Sequence, residues 1–381
     1  MTSTSSVGIV GGGPAGAELA RRLAEAQIEC VLFEAQPERE KPCGGGLSPR
    51  TRAVIPAHLQ KIIHGKSVYH VISASPSGKQ ISIQLSEPIT IVSRREFDQG
   101  LRQAALSAGA RIVHRKVLSI KRRKGLFVLD DREQFPILVG AGGFNCIVAR
   151  TFAGALPVWD LAAAVGYYLD ADYAAEIRLK FGKNLIGYMW FFPGPSIVSA
   201  GIAEPAPIFQ HYAAEGKLRE FIQHAASHLP VGRRYTWALP SLCADTFDSR
   251  PIAGDGWLLI GDAAGLCDPI TGEGIAYAFK SAALAAEAII CKDLRIFPQK
   301  LRSEITGNLQ RAAILKDRFY RSRFLDWGHY AVRKSARARE ACRLFMEGKM
   351  AYPEFKKYSL LPEVAAQVFH LWRWWKKFRK K

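Results

Sequence analysis

Long apolar runs are missing from this chain. No stretch of about 18 apolar residues occurs, which excludes a membrane-spanning helix. The opening Met1–Ser6 is short and polar, and the apolar run behind it, Val7–Val10, is brief, so no secretory signal is expected. Cysteine is sparse and unpaired in pattern: Cys30, Cys43, Cys146, Cys243, Cys267, Cys291 and Cys342 are odd in number and form no CxxC. A disulfide framework or zinc cluster is not expected, and a reducing, cytoplasmic setting is. The nine histidines give no expected metal site, and the nucleophile elbow G-x-S-x-G is absent. Internal repeats and low-complexity linkers are absent too. Acidic residues are scarce, with 34 Asp and Glu against 53 Lys and Arg, a formal charge of +19.

What is present is apolar enough for a large core. Of 381 residues 48% are hydrophobic and 23% charged, which excludes a disordered chain and favours two domains over one small module. The positive excess is uneven. Arg311–Lys381 hold 19 Lys and Arg against 6 Asp and Glu, so 13 of the 19 excess charges lie there. Taken alone, that balance admits a nucleic acid or an anionic membrane surface as partner.

Along the chain, Val7–Val10 reads as a buried strand, Ala17–Ala26 as a helix, and Cys30–Phe33 as a second strand ending at Glu34. Alternating stretches at Ser67–Ser75 and Gln80–Leu85 predict antiparallel strands, and Arg94–Ala108 a helix. Strands are expected at Arg111–Val113 and Val117–Ile120, with Phe127–Leu129 pairing Gln134–Leu138. Aromatic, strand-like sequence from Leu161 to Leu242 closes on a helix near Leu218–Leu229. Leu258–Ile260 returns to the buried-strand pattern before an Ala-rich helix, Gly274–Ile290, and the remainder from Phe297 is helical by composition.

The turn Gly11-Gly12-Gly13-Pro14-Ala15-Gly16 between strand and helix carries the first chemistry. Gly11 permits a tight turn, Gly13 lets a pyrophosphate approach the backbone, and Gly16 lets the helix pack closely. The helix N-terminus offers free N–H groups to phosphate, and Glu34 is placed to accept from a ribose. Far downstream, Gly261-Asp262 follows a buried strand, and the loop to Gly272-Glu273-Gly274-Ile275 opens a second helix. There Asp262 can bind a hydroxyl chain, and the amides of Gly272–Ile275 can face partial negative charge. A nicotinamide-only dehydrogenase has no need of this second half-site; a flavin nucleotide has.

These segments, with Arg94-x-x-Phe97-Asp98, resemble the flavoprotein hydroxylase superfamily typified by para-hydroxybenzoate hydroxylase. Pro42-Cys43-Gly44-Gly45-Gly46 and Tyr188-Met189-Trp190-Phe191-Phe192-Pro193 narrow the resemblance to its geranylgeranyl reductase branch, over roughly residues 7–290. The resemblance implies FAD held by Gly11, Gly13, Pro14, Ala15, Gly16, Glu34 and Ala35, with Arg94 near the phosphates or ribityl chain. Val117 would meet the adenine through its backbone, Ala141 and Gly142 would border the flavin, and Gly261 and Asp262 the ribityl chain. Cys43–Gly46 would lie by the isoalloxazine, opposite Gly272, Glu273, Gly274 and Ile275. Tyr188, Trp190, Phe192 and Pro193 would line the substrate pocket, with Cys43, Tyr188 and Trp190 as candidate catalytic residues.

The implied architecture is α/β: a Rossmann-like FAD domain from 1–66, 94–155 and 246–290, an antiparallel-sheet substrate domain from 67–93 and 156–245, and a basic helical region, 291–381. The implied activity is reduction of C=C bonds in an isoprenoid chain by reduced flavin. At Gly140-Ala141-Gly142-Gly143 the superfamily's Asp is replaced by Gly142, so a ferredoxin-like donor stands beside NADPH. Alternatives are a monooxygenase or halogenase, though no G-E-S segment follows the second strand, or a non-catalytic flavoprotein or lipid-binding module. Cys43 can be a plain loop residue or a reactive thiol. The C-terminal Trp372, Trp374, Trp375 and Phe378 alternate with Arg373, Lys376, Lys377 and Arg379, which suits an anionic membrane surface on the cytoplasmic side better than a nucleic acid.

Overall fold

The computed structural model describes residues 7–227, 232–352 and 354. The Trp-rich basic tail lies outside them. The chain begins β1 (Val7–Val10), α1 (Pro14–Glu25), β2 (Cys30–Glu34), with β1 and β2 parallel in the register Val7 to Cys30. All four residues of β1 are buried, as a strand covered on both faces requires. Pro14 at the first helical position costs no hydrogen bond, so α1 starts three residues before the apolar periodicity.

The chain then runs β3 (Gly46–Leu47), α2 (Pro49–Val54), β4 (Gly65–Ala74), β5 (Gln80–Val92), α3 (Arg94–Ser107) and β6 (Arg111–His114). A small meander follows, β7 (Ile120–Arg123), β8 (Leu126–Leu129) and β9 (Glu133–Phe135), then β10 (Ile137–Gly140) and α4 (Ile147–Phe152). Two sequence expectations change here. Val117–Ser119 are not strand, because Asp130 Oδ1 accepts the amides of Leu118 at 2.9 Å and Ser119 at 2.8 Å, occupying donors a ladder would use. Gln134–Leu138 divides at Pro136: Gln134 and Phe135 pair with β8, while Ile137–Gly140 joins β1 in parallel. Proline cannot donate to a ladder, so the split falls there.

Next come β11 (Leu161–Asp170), β12 (Glu176–Lys180), β13 (Tyr188–Pro193), β14 (Ile197–Pro205), α5 (His211–Ala226), β15 (Arg233–Pro240), α6 (Thr246–Ser249), β16 (Ala253–Gly254) and β17 (Trp257–Leu259). The described chain ends in helices: α7 (Ile275–Ile290), α8 (Ile296–Leu301), α9 (Gly307–Phe319), α10 (Ser322–Lys334) and α11 (Ala336–Met346).

Two large sheets result. The first has the order β16-β17-β10-β1-β2-β6, parallel except at β16–β17. The second, β15-β11-β14-β13-β12-β4-β5-β3, is antiparallel except where β12 meets β4. The architecture is α/β with a helical C-terminal region, as the motifs imply. Alternation along β13 decides what each face covers. Met189 and Phe191 pack with Leu218, Phe221 and Ile222 of α5. The opposite face is covered by α10 and α11, whose Val332, Cys342 and Met346 join Val71, Ile83 and Ile177. No helix among the described residues is long and apolar enough to cross a membrane.

Candidate functional site

One cavity of about 1020 Å³ runs from the β1–α1 turn to the helices α9–α11. It lies at the upper end of the ~300–1,000 Å³ typical of small-molecule sites, a size suited to a large cofactor. Its first half is built on the first sheet. Gly11 has φ +113°, which favours glycine, and a Cβ on Gly16 would stand 1.9 Å from Gly11 O. Gly16 therefore packs helix on turn rather than facing the cavity. Gly13 has nothing within 4 Å of its Cβ position, so the backbone ahead of α1 is open to a ligand. The Glu34 carboxylate accepts from Gly12 N and Gln36 N, each at 2.7 Å. Arg102, which sequence reading missed, braces the same turn: its guanidinium donates to Gly12 O at 3.2 Å and Pro37 O at 2.6 Å. Pro14, Ala15, Ala35, Val117, Ala141 and Gly142 line this half.

The second half-site converges on it. Gly261 N donates to Ser281 Oγ at 3.0 Å, and Asp262 Oδ2 accepts from Lys41 Nζ at 3.1 Å. A Cβ on Gly274 would fall 2.9 Å from Asp262 Oδ1, so this glycine admits the carboxylate. Buried Asp268 organises the loop, accepting from Ile270 N, Thr271 N and the Tyr352 hydroxyl at 2.9, 3.0 and 2.7 Å. Burial raises its pKa against these donors and Arg50. Glu273 lines the cavity, but its carboxylate is taken by Ser48, Arg50 and Thr51. Burial opposes its charge, and Arg50 with the two hydroxyls outweighs that and lowers its pKa.

Between the half-sites lies the glycine loop. Gly45 has φ +71°, and its amide donates to Cys43 Sγ at 3.3 Å. A Cβ on Gly44 would sit 2.7 Å from the Phe192 ring and one on Gly46 3.1 Å from it, so both glycines let an aromatic lie on the loop backbone. Ser199 ties the loop to the second sheet by donating to Cys43 O at 2.9 Å, and Trp190 Nε1 donates to Ser199 Oγ at 3.4 Å. Behind the loop, Arg94 forks Asp98 at 3.0 and 2.8 Å. Burial works against the Arg94 charge, but Asp98 and the adjacent Cys43 side chain overcome it and raise its pKa. Cys43 thus meets a buried cation and an amide.

The remaining half is apolar. Tyr188, Trp190 and Phe192 share one face of β13, with the Tyr188 and Trp190 rings 6.1 Å apart at 63°. The Tyr188 hydroxyl donates to Thr271 O, and burial raises its pKa, so it keeps its proton. Pro193 ends the strand outside the cavity wall. The far wall comes from helices that composition alone did not assign to the site: Phe319, Phe324, Leu325, Ala341, Cys342 and Phe345. Its polar groups are few. His329 pairs with Ser73 Oγ at 3.0 Å and Leu325 O at 2.8 Å, and burial lowers its pKa. Lys316 donates to Ser241 Oγ at 2.7 Å. Among the described residues no cluster suited to a metal ion occurs.

This geometry agrees with what the chain is similar to. Residues 4–125 match the FAD binding domain family. A menaquinone reductase of Mycolicibacterium smegmatis is 29% identical over 326 residues, 75% of this chain and 76% of that protein. A digeranylgeranylglycerophospholipid reductase of Thermoplasma acidophilum is 29% identical over 357 residues, 85% and 86% of the two chains. In fold, a geranylgeranyl bacteriochlorophyll reductase-like protein of Thermoplasma acidophilum superposes with TM-score 0.75 at 24% identity, covering 94% of this chain and 98% of that one. The flavin-dependent brominase Bmp2 does so with TM-score 0.73 at 20% identity, covering 97% and 100%. This chain is an FAD-dependent oxidoreductase. Its resemblance to the geranylgeranyl reductases, drawn from the glycine loop and the β13 motif, is met by reductases of that kind among its relatives.

Proposed function

We propose that the enzyme saturates carbon–carbon double bonds of an isoprenoid chain. One observation carries this: the cavity continues from the glycine loop into an apolar arm between β13 and helices α9–α11. Such an arm suits a long hydrocarbon. When bound, reduced flavin supplies a hydride equivalent. The chain's own residues do the rest. Gly13, Glu34 and Asp262 are placed to hold the cofactor. Phe192 packs the loop Gly44–Gly46, and Trp190 and Tyr188 wall the space beside it, positioning an alkene and excluding water. The Tyr188 hydroxyl, which keeps its proton, borders that space and is placed to hold a proton for the second alkene carbon, with the Cys43 side chain as the other candidate.

Arg50 is spent on Glu273 and burial lowers the pKa of Lys316, so the substrate arm offers little fixed positive charge to a diphosphate. A prenylated lipid or quinone with its head group outside the arm fits better. Gly142 in place of an acid supports a ferredoxin-like donor over NADPH, and the Trp-rich tail supports contact with an anionic membrane. Anaerobic mixing of chemically reduced enzyme with a geranylgeranylated lipid tests the activity. Reoxidation of the flavin with loss of one alkene is expected. Reoxidation by oxygen alone would refute the reductase reading and favour a monooxygenase or halogenase.

A further inference from the structure

One end of the second sheet gathers features that the site leaves unused. The register places Ala162 opposite Pro205 and Leu161 opposite Pro240, so the start of β11 and the ends of β14 and β15 share an edge. Ala162, Pro205, Pro240 and Ser241 there are also cavity wall. Just beyond them the chain is exposed and apolar. Trp159, three residues before Ala162, is 62% exposed beside exposed Val158. Tyr212, at the start of α5, is 94% exposed, with exposed Ile208 on the turn that follows β14. The turns carrying Val158 and Ile208 pack against each other.

A third piece adjoins. Cys243 N donates to Asp160 Oδ1 at 2.7 Å, and the loop after β15 is met from its other side by α9, where Gln310 donates to Ala244 O at 3.1 Å and Lys316 to Ser241. On α9, Arg311, Ile314 and Arg318 stand three and four apart on one exposed face. The rim thus carries Val158, Trp159, Ile208, Tyr212 and Ile314 with Arg311 and Arg318; exposed Asp245, Asp248 and Asp317 are nearby acids, Asp248 being paired with Arg302.

We infer that this rim is the face the enzyme lays on an anionic lipid bilayer, delivering a bilayer-dissolved chain directly into the cavity behind it. Tryptophan and tyrosine favour the headgroup region, where their rings are apolar and their N–H or O–H stays wet. The net charge of +19 supplies long-range attraction to anionic lipid. Scattered exposed apolar residues need no explanation, but Trp159 precedes a cavity-wall strand, its turn packs on that of Ile208, and the loop after β15 ties both to the helix of Ile314. The inference deepens the proposed substrate class and rests on that reading for its purpose, though not for the membrane contact itself.

The test uses full-chain holoenzyme and vesicles of equal parts phosphatidylcholine and phosphatidylglycerol. The double variant Trp159→Ser/Tyr212→Ser, outside the cavity wall, is expected to keep its flavin content and melting temperature while binding vesicles about tenfold more weakly. Its anaerobic reoxidation by a short prenyl substrate in free solution should equal that of the parent. Unchanged vesicle binding in the double variant would overturn the inference, above all if a chain ending before Trp372 loses binding instead. Loss of electron transfer from a reduced ferredoxin, with vesicle binding intact, would assign the face to a protein donor and also overturn it. Weakened vesicle binding upholds the inference even where no isoprenoid reoxidises the flavin, in which case only the substrate reading fails.

Discussion

Gly201→Ala offers the sharpest test of the aromatic wall. Gly201 of β14 sits opposite Trp190 of β13, and the six-membered ring of the indole occupies the space a side chain at 201 would fill. A Cβ at residue 201 would stand 2.2, 2.6 and 2.6 Å from three ring carbons. Carbon atoms rest ~3.5–4.0 Å apart, so the ring must retreat by more than about 1 Å. Movement within its plane would break its N–H contact to Ser199 Oγ at 3.4 Å or press it on the Tyr188 ring beside it. Overpacking of this kind costs about 1–3 kcal/mol, and a shift of about 1 Å at a positioning group costs about 10²-fold in rate. The variant is therefore expected to bind FAD, melt a few degrees lower and reduce substrate about a hundredfold more slowly, read as single-turnover reoxidation without oxygen. Adding Trp190→Phe should restore stability but not the rate. Full turnover in Gly201→Ala would refute the claim that Trp190 positions the substrate.

Three further outcomes follow from local geometry. Glu347 is buried on α11's C-terminal side and accepts from Ser86 N at 2.7 Å and Arg343 at 2.9 Å; burial would raise its pKa, but Lys349, Ser86 and Arg343 hold it down to about 2. A lowered carboxylate pKa contributes stability above the unfolded value of about 4.3 and loses it as pH falls toward 2, up to about 3 kcal/mol. Glu347→Gln should lower the urea midpoint at neutral pH and flatten its pH dependence between about pH 5 and pH 2. Gly142→Asp should not speed flavin reduction by NADPH over the parent, because a Cβ there crowds Cys146 Sγ at 3.2 Å; faster flavin bleaching by NADPH in stopped flow would contradict this. Tyr352→Phe leaves Asp268 to two backbone amides and should cost the holoenzyme about 1–3 kcal/mol in thermal melts.

Local rules made the first half-site legible. Gly11, Gly13, Gly16 and Glu34 follow from what a βαβ turn demands, and the alternation of Tyr188, Trp190 and Phe192 from the pleat of a strand. Where a side chain competes with the ladder, local pattern misleads. Asp130 takes the amides of Leu118 and Ser119, and Pro136 sends two neighbouring apolar stretches to different sheets. Glu273 looks like a flavin neighbour by its motif, yet Ser48, Arg50 and Thr51 hold its carboxylate. That pairing spans more than 220 residues, and no periodicity encodes it.

The helical region shows the same limit more sharply. By charge it reads as an external arm, with 19 Lys and Arg against 6 Asp and Glu in Arg311–Lys381. Its inward residues nonetheless repeat at helical spacing: apolar Leu325 and Val332 flank buried, hydrogen-bonded His329 on α10, and Ala341 and Phe345 on α11 line the cavity. That stripe was readable as a buried face. Its partner was not, since the strands it covers, β4, β5 and β12, lie far back in the chain and are brought under it only by the second sheet. Among the described residues, Arg311, Arg318, Arg333, Lys334 and Arg337 are exposed on helices whose other side lines the cavity. A mutation on either side therefore tests a different property: the inner face should change which chain is accepted, and the outer face where the enzyme meets it.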